Sequence, residues 1–435
     1  MYLGLDFGTS GARACVVDET ETITHEDRYT YPIAEAQTPL DWREALHILL
    51  KRLPTAIAAE LKGIAIAATS ATVLLCDEEL EPTSPVLLYF DGRAQDEAGQ
   101  LKKIAPPDHI VCSATSGLAK FLWLTGHTDL LNSTHFMHQA DWLAALLTGT
   151  GGVSDYHNAL KTGYDVERMC WPDWVLSLPH AHLLPRVVAP GVPIAPINLP
   201  LAQHFKLNPA CTVHAGTTDS IAAFIATGVS EPGVAVTSLG TTLVLKVLST
   251  KRVEAAQYGV YSHRYGQLWL AGGASNAGGS VLRQYFNDEQ LAELSQHIDP
   301  GTDSPLDYYP LPRPGERFPI SDPVLAPRLI PRPLRPDSGR AVDDAQFLHG
   351  LLQGLARIEA AGYAKLAELG ASPLKSVMTT GGGAKNQMWS KMRERLLGVP
   401  VAIAQHAEAA LGAALLAKRK GQFKINWLHG IPDLK

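Results

Sequence analysis

Two aspartates in this chain stand where a short apolar segment meets a turn rich in glycine and hydroxyl residues. Asp6 lies within LGLDFGTSGARACVVD at 3–18, and Asp219 lies within VHAGTTDSIAAFIATG at 213–228. Glycines allow the backbone to approach a ligand closely, and hydroxyls with backbone N–H groups can hold an anion. Two carboxylates beside such turns suit phosphoryl transfer, in which one holds Mg²⁺ and the other accepts the proton of the attacking hydroxyl.

Three glycine-rich turns follow predicted strands, at 8–11, 238–242 and 381–383. The chain has no GxxxxGK[ST] string, and its opening lacks GxGxxG, which disfavours a P-loop and a dinucleotide-binding fold. From the residues alone, the first two turns are also compatible with simple hairpins, and Asp219 with a helix cap. The spacing therefore indicates phosphate chemistry without excluding these structural roles.

The composition narrows the class of protein. Charged residues make up 18% of the chain, hydrophobic residues 46%, and the formal net charge is −6, so we expect a globular protein without a surface for nucleic acid. No apolar run is long enough to cross a bilayer and the chain opens directly on a strand, which predicts no membrane partner and a cytoplasmic location. Reduced thiols and no protein-caged transition metal are expected, because no HxxxH or CxxC pair occurs among the histidines and the five cysteines, Cys15, Cys76, Cys112, Cys170 and Cys211.

The chain begins its topology twice. Its 435 residues are enough for two domains, and VAVTSLGTTLVLKVLS at 234–249 repeats the strand, Gly-Thr turn, strand form of 3–18. Ligands bind in the cleft that two such halves form. The proline-rich stretch 300–336 predicts a loop excursion held by apolar anchors, with a disordered linker as the alternative. Beyond it we expect a long helix over 347–369, then a strand, glycine loop, helix and strand over 377–401.

The order of these segments resembles that of the FGGY family of carbohydrate kinases, within the fold superfamily of actin, hexokinase and the heat-shock ATPases. The resemblance spans nearly the whole chain and rests on the segments together: GLDFGTSGAR (4–13), DGR (91–93), SGLAKFLWL (116–124), DWLAALLTG (141–149), SDYHNALKT (154–162), AGTTDS (215–220), SLGTT (238–242), GERFP (315–319) and TTGGGAKNQMWSKMRERLLGVPV (379–401). It implies an α/β fold of two actin-like (ribonuclease H-like) ATPase domains around a central cleft. Residues 1–212 would bind the sugar and residues 213–435 the nucleotide.

The same resemblance implies a role for the turn residues. Asp219 would be the catalytic base at the sugar hydroxyl, and Asp6 would hold Mg²⁺ through water. The other cofactor residues would meet ATP or ADP: Thr9, Ser10, Gly11 and Arg13 in the first turn, Gly240, Thr241 and Thr242 in the second, Gly272 and Gly273 in a further loop, and Gly382, Gly383 and Asn386 at the adenosine. Arg13 is also compatible with a surface ion pair, and Asn386 with a helix cap.

The resemblance places the sugar pocket in the first domain. The substrate residues would be Asp6, Ser10, Gly11, Ser70, His138 and Asp219. Thr69 and Ser70 stand where several polyol kinases carry Arg-Glu, and the loss of charge favours a neutral ketose over a clamped triol. Core packing remains the alternative for Ser70.

The implied function is ATP- and Mg²⁺-dependent phosphorylation of the terminal hydroxyl of a pentulose. D-ribulose is the first expectation, and D-xylulose or another small ketose or polyol the alternative. The expected partners are the pentulose and the nucleotide, in a monomer or a homodimer whose domains close on the substrates. A non-enzymatic actin-fold ATP-binding switch is the competing class.

Overall fold

The computed structural model describes residues 1–33, 36–330 and 344–422. The described residues form two compact units, one within residues 1–228 together with 406–422, the other within residues 229–405. The strands are β1 Tyr2–Phe7, β2 Gly11–Val17, β3 Ile23–Thr30, β4 Gly63–Ala68, β5 Val73–Cys76, β6 His135–His138, β7 Val153–Asp155, β8 Arg186–Val188, β9 Pro193–Pro196, β10 Thr212–His214, β11 Thr217–Thr218, β12 Val234–Leu239, β13 Leu243–Ser249, β14 Tyr261–Tyr265, β15 Leu268–Ser275, β16 Ser376–Thr380 and β17 Val401–Ile403.

The helices alternate with these strands, as expected for a mixed α/β protein. They are α1 Pro39–Arg52, α2 Thr55–Ala59, α3 Gln95–Ile104, α4 Gly117–His127, α5 Gln139–Thr148, α6 Tyr156–Ala159, α7 Asp173–Leu176, α8 Leu199–Phe205, α9 Asp219–Ala226, α10 Gly279–Arg283, α11 Asp288–Ser295, α12 Asp344–Glu368, α13 Gln387–Leu397 and α14 Ala409–Arg419. Within the described part of the chain, no helix is long and apolar enough to span a membrane.

The main sheet of the first unit has the strand order β3-β2-β1-β4-β10-β9, with β11 also pairing with β4. β1 runs antiparallel to β2 and parallel to β4, and all its residues are buried because the strand is covered on both faces. Its apolar residues, Leu3, Leu5 and Phe7, belong to the core of this unit. The buried central strand therefore carries Asp6 to the turn at its carboxyl end.

The sheet of the second unit repeats this order as β14-β15-β13-β12-β16-β17. β12 is antiparallel to β13 and parallel to β16, as β1 is to β2 and β4. The only insertion in the described sheet is β14, which forms an edge beside β15. The prediction that the chain begins its topology twice is confirmed.

Helix α14 packs against β1 and α9 through glycine and alanine residues. A Cβ at Gly4 of β1 would be 1.9 Å from the carbonyl oxygen of Ala410, and a Cβ at Gly412 would be 1.8 Å from that of Ala222. Such contacts exclude any side chain, because real Cβ atoms do not approach a backbone so closely. The alanine- and glycine-rich sequence of α14 is thus a packing surface.

The boundaries of the units differ from the predicted division at 212/213. The first unit continues to Gly228 because β10 and β11 pair with β4 of the first sheet. It also includes the described residues from His406 onwards, because α14 packs on that sheet. A repeated strand pattern in the sequence shows where each half begins. It does not show that α14, which follows the second unit in the chain, belongs to the first unit.

The proline-rich stretch packs on the second unit over its described part, 300–330. Tyr308, Leu311 and Phe318 are almost fully buried in the core of that unit, and Glu316 pairs through its backbone with Asp322. The predicted loop excursion is confirmed there, while residues 331–336 lie outside the described residues.

Candidate functional site

The first glycine turn joins β1 to β2 and holds Asp6 next to a cation. The N–H of Gly8 donates to the carbonyl of Gly11 at 3.0 Å, which closes the turn. Asp6 stands opposite Arg13 in the antiparallel register, and the Arg13 Nη1 lies 3.4 Å from the Asp6 Oδ2. The same nitrogen lies 3.5 Å from the Oε2 of Glu408, just before α14. Arg13 therefore forms the ion pair that was the alternative to a phosphate contact.

Asp6 is a buried carboxylate with one unsatisfied oxygen. It is 3% exposed, and its Oδ1 has no hydrogen-bond partner among the described residues. The pKa of Asp6 is raised to about 7, mainly by burial and next by the charge of Asp219, with a smaller contribution from Glu408, while Arg13 opposes the shift. A carboxylate in this position gains from any additional cation.

Asp219 begins α9, where the helix dipole favours a negative charge. Its Oδ1 accepts a hydrogen bond from the N–H of Ser220 at 2.6 Å, so the side chain does contribute to the helix N-terminus. Its charge acts on Asp6, which places the two carboxylates in one electrostatic environment. The helix-end role and a role as base are compatible, because a helix N-terminus favours the negative charge of a carboxylate.

The Asp6 environment fits a hydrated Mg²⁺ ion. Two carboxylates of one unit interact repulsively there, and the free Oδ1 of Asp6 is the hard oxygen ligand that Mg²⁺ prefers. Over the residues described, no group of three or more His, Cys, Asp or Glu side chains could hold a metal ion by itself. Mg²⁺ usually retains waters and bridges phosphates, so a single carboxylate is a sufficient protein ligand.

The remaining residues of the first turn divide into exposed hydroxyls and a packing glycine. Thr9 and Ser10 are exposed, and the Thr9 Oγ1 donates to the Tyr89 hydroxyl at 3.5 Å. A Cβ at Gly11 would lie 2.1 Å from the carbonyl oxygen of Tyr29, so β3 by itself requires the glycine. A Cβ at Gly8 would lie 3.7 Å from the carbonyl oxygen of Gly11, an ordinary van der Waals contact.

The turn at 69–72 follows β4, the strand parallel to β1. Thr69 is buried, and its Oγ1 lies 2.8 Å from the Oε1 of Gln139 and 2.7 Å from the Oγ1 of Thr72. The Oγ of Ser70 is buried and has no hydrogen-bond partner among the described residues. Of the predicted neutral pair, only Ser70 keeps a hydroxyl for a ligand.

The prediction that His138 lines the sugar pocket is wrong. The side chain has no exposed surface, and both ring nitrogens are bonded, Nδ1 to Asp141 at 2.7 Å and Nε2 to Thr162 at 2.9 Å. Its backbone N–H also binds Asp141, completing a capping box for α5. The histidine is a structural residue, and Asp141 starts the helix.

Two further buried polar side chains, Gln139 and Lys120, lie near this turn. Gln139 accepts the N–H of Thr69 through its Oε1, which fixes the amide orientation and leaves its buried Nε2 without a partner among the described residues. Lys120 on α4 is fully buried and binds two backbone carbonyls. Lys120 was not selected from the sequence. The signal that could have identified it is a lysine inside the apolar segment LAKFLWL.

The second unit contains a cavity of about 700 Å³ at the ends of β12 and β16. Its lining includes five of the predicted nucleotide residues, Gly240, Thr241, Gly382, Gly383 and Asn386. It is also lined by residues that the sequence analysis did not select, notably Gly279, Leu282, Arg283, Leu291, Ala292, Ser295 and Gln296. Thr242 is not among the lining residues. Apolar walls with a few polar groups are typical of small-molecule sites.

The triple glycine is a tight turn over a tryptophan. Gly381 has a φ of +83°, and a Cβ at Gly383 would lie 2.6 Å from the ring of Trp389, whereas nothing lies within 4 Å of such a Cβ at Gly382. Asn386 caps α13 through its Oδ1, and its Nδ2 donates to the Oγ of Ser295 at 2.8 Å. Trp389 is buried, as expected for a core residue.

The predicted loop at Gly272 and Gly273 is not a loop. Both residues lie inside β15, and a Cβ at Gly273 would be 2.9 Å from the ring of Phe318. The next glycine pair of the same segment takes the place near the cavity, because Gly279 lines it and Gly278 abuts Thr241. A strand interior and a loop cannot be distinguished by glycine content alone.

The GERFP segment contains Glu316, whose buried carboxylate has a structural role. This carboxylate accepts hydrogen bonds from the Ser275 hydroxyl at 2.5 Å and from the Asn276 N–H at 2.8 Å. The Tyr309 hydroxyl donates to it as well, at 3.1 Å. Glu316 thus holds the end of β15, from which the chain enters the Gly278-Gly279 step.

Known proteins match both units of this chain. Residues 1–226 match the N-terminal domain of the FGGY family of carbohydrate kinases, and residues 235–420 match its C-terminal domain. A xylulose kinase of Streptomyces coelicolor is 28% identical over 458 aligned residues, covering 96% of this chain and 87% of that protein. A ribulokinase of Shouchella clausii is 25% identical over 306 aligned residues, covering 58% of this chain and 54% of that protein.

A solved structure supports the same fold. The crystal structure of a xylulose kinase from Rhodospirillum rubrum superposes with a TM-score of 0.82 at 21% identity, covering 98% of this chain and 91% of that one. Together with the repeated sheet order, this likeness confirms the predicted actin-like ATPase fold of the two units. Because both family domains are matched over nearly the whole chain, the protein is a sugar kinase that uses a nucleotide and belongs to the FGGY family of carbohydrate kinases.

Proposed function

We propose that this carbohydrate kinase transfers the γ-phosphate of ATP to the terminal hydroxyl of a pentulose, converting D-ribulose to D-ribulose 5-phosphate. The observation that carries the proposal is the pair of carboxylates in the first unit. Asp6 is buried with a free oxygen, and Asp219 stands at a helix N-terminus close enough to raise the pKa of Asp6 to about 7 together with burial. Phosphoryl transfer to an alcohol requires a cation-binding carboxylate and a base.

Asp219 is the base in this proposal. It accepts the proton of the attacking hydroxyl, which increases the nucleophilicity of the sugar oxygen as the bond to phosphorus forms. The dipole of α9 favours the negative charge of the carboxylate. The exposed hydroxyls of Thr9 and Ser10 then orient the transferred phosphate, and Arg13 offsets its charge.

Asp6 would hold Mg²⁺ through its Oδ1, directly or through a water molecule. The ion would neutralise charge on the phosphates of the nucleotide. Without it, Asp6 is partly neutralised by Arg13, which lies 3.4 Å away. Asp6 therefore has a counter-ion in the free protein and an open ligand oxygen for the metal.

The nucleotide site in this proposal is the cavity of the second unit. Backbone amides near Gly240 and Thr241 would bind the outer phosphates, since a turn between strands presents N–H groups to an anion. The open side of Gly382 would accept the flat base, because no side chain or backbone atom occupies the space above it.

The acceptor is chosen on the chemistry of the turn at 69–72. Thr69, Ser70, Ala71 and Thr72 carry no charge, and Ser70 offers a free hydroxyl, which suits a neutral ketose. D-xylulose, the C3 epimer of D-ribulose, is the second candidate, because the xylulose kinase relative aligns over 96% of this chain and the ribulokinase over 58%. The non-enzymatic switch is set aside, since the chain belongs to a family of kinases.

The test is ADP release from Mg-ATP in the presence of pentuloses, hexuloses and polyols, each beside a sugar-free control. D-ribulose is expected to give the highest kcat/KM, with the product identified as a 5-phosphate by ³¹P NMR. A higher kcat/KM for D-xylulose would keep the kinase and reverse the order of the two candidates. Stimulation only by a sugar outside the pentuloses would overturn the proposed substrate class.

A further inference from the structure

Lys120 is the most deeply buried cation near the proposed sugar site. Its side chain has no exposed surface, and its ammonium donates to the carbonyls of Ala71 at 2.8 Å and Leu88 at 2.7 Å. No carboxylate among the described residues lies within ion-pair distance. Burial lowers the pKa of Lys120 to about 7, with Asp91 opposing and Lys161 adding to the shift. Because burying a charge is costly, packing alone does not explain the residue.

The first carbonyl held by Lys120 belongs to a residue in a strained conformation. Ala71 has a φ of +62°, in the left-handed region that costs a non-glycine residue about 1–2 kcal/mol. The turn around it is closed by the Thr72 N–H, which donates to the Thr69 carbonyl at 3.4 Å. The N–H of Gln139 donates to the Thr72 carbonyl at 2.9 Å. Lys120 thus completes a set of bonds that keeps Ala71 left-handed.

The second carbonyl connects this turn to the first glycine turn. Leu88 also accepts the N–H of Asp91 at 2.8 Å, so its position is fixed from two sides. The next residue, Tyr89, is exposed and accepts the Thr9 hydroxyl at 3.5 Å. One ammonium therefore fastens the segments that carry Ser70, with its unpartnered hydroxyl, and Tyr89, beside the proposed phosphate turn.

We propose that Lys120 is a positioning residue for the acceptor sugar: by holding the carbonyls of Ala71 and Leu88, it fixes Ser70 and Tyr89 on the sugar side of the first unit. The inference rests on the proposed function, because it requires Ser70 to meet a sugar hydroxyl. Lys120 itself has no contact with the substrate. Its loss therefore affects sugar binding through the backbone of the turn and leaves the nucleotide cavity of the second unit untouched.

The experiment compares Lys120→Met, which keeps the volume and removes the charge, with Lys102→Met, which removes an exposed lysine of α3. With the best pentulose of the wild-type protein, Lys120→Met is expected to raise the sugar KM about tenfold or more, equivalent to about 1.4 kcal/mol. The ATP KM should stay within about twofold, and Lys102→Met should match the wild type. An unchanged sugar KM would overturn the positioning role. A parallel rise in both KM values, accompanied by a loss of thermal stability, would overturn it as well.

A second variant separates positioning from general packing. Ala71→Gly accepts the left-handed conformation without strain, so Ala71→Gly/Lys120→Met should show a sugar KM between those of Ala71→Gly and Lys120→Met. If Lys120→Met does not fold, the double variant is compared with Ala71→Gly, and equal sugar KM values contradict the inference. Failure of the wild-type protein to phosphorylate any pentulose would refute the proposed function and this inference together.

Discussion

At the scale of single residues, Asp6 shows how a site can be prepared before its ligands arrive. A buried carboxylate with a free oxygen, an acidic neighbour and one arginine partner is poorly stabilised in the free protein. The same features make it a good ligand for a hydrated cation that brings phosphates with it. Strain of this electrostatic kind is common where charged ligands bind.

The proposed base can be tested by replacing Asp219 with asparagine. Asp219→Asn keeps the shape of the side chain and removes the proton acceptor, so kcat should fall about 10²–10⁴-fold. Nucleotide binding, measured by calorimetry, should change little. Asp173→Asn removes an exposed first-turn carboxylate from α7 and serves as the control. A kcat for Asp219→Asn within threefold of the control would exclude Asp219 as the base.

The raised pKa of Asp6 predicts a pH-dependent stability with a definite sign. In the unfolded chain this carboxyl ionises near pH 4, but in the folded protein its pKa is about 7, so the folded state binds the extra proton in between. Its contribution is present at low pH and is lost as the pH rises through 7. The Asp6→Asn variant lacks this titration. Its free energy of unfolding, relative to that of the wild type, should therefore increase by about 1–3 kcal/mol from pH 5 to pH 8.

The measurement is denaturant unfolding of both proteins without metal or nucleotide at several pH values. Comparing the two proteins cancels the other buried titrating groups, such as Asp155, whose pKa burial also raises to about 7. Parallel stability profiles for the two proteins would show that Asp6 does not titrate in this range.

At the scale of elements, the glycines of the third turn have different duties. Gly381 and Gly383 are required by the backbone of Leu239 and by the ring of Trp389, while Gly382 faces open space in the cavity. Three adjacent glycines in the sequence look equivalent. Only the middle one leaves room that a ligand can use.

Gly382→Val should therefore impair nucleotide binding without affecting the fold. The valine side chain would project into the cavity and raise the ATP KM about tenfold, equivalent to about 1.4 kcal/mol, while the sugar KM and the midpoint of thermal unfolding stay near wild type. Gly126→Val in α4, where a Cβ also meets no atom within 4 Å, is the control. An unchanged ATP KM would place the base of the nucleotide elsewhere.

At the scale of the whole molecule, the last described helix completes the first unit. α14 follows the second unit in the chain, yet it packs against β1 and α9, the two elements that carry Asp6 and Asp219. Arg419 at its end forms an ion pair with Glu21 at 2.6 Å. The packing of the two elements that carry the proposed catalytic carboxylates therefore depends on residues almost 200 positions after Asp219 in the sequence.

Gly412→Val tests this dependence. A Cβ at Gly412 would overlap the carbonyl oxygen of Ala222, so the free energy of unfolding should fall by about 1–3 kcal/mol or more. Gly99→Val places the same side chain on a helix with open space and is the matched control. Denaturant unfolding with equal losses for both variants would mean that α14 does not pack closely on α9.

Much of this protein could be predicted from its sequence. Strand, glycine turn and strand patterns at 3–18 and 234–249 depend on local alternation and backbone freedom, and both are structured as expected. The order of short motifs indicated the family, which the matches to both domains confirm. Roles that depend on local chemistry, such as the helix-end position of Asp219, were also within reach.

Other properties depended on contacts between residues far apart in the chain. His138 lost its predicted role because Asp141 and Thr162 occupy both ring nitrogens, and Gly273 because Phe318 fills the space beside it. The unsatisfied oxygen of Asp6 and the burial of Lys120 likewise arise from tertiary packing. The sequence by itself determined the strand, turn and strand pattern that begins each half, the family and the candidate carboxylates. The tertiary structure alone decided which polar groups remain free for a ligand, because hydrogen-bond partners and burial are set by packing rather than by local sequence.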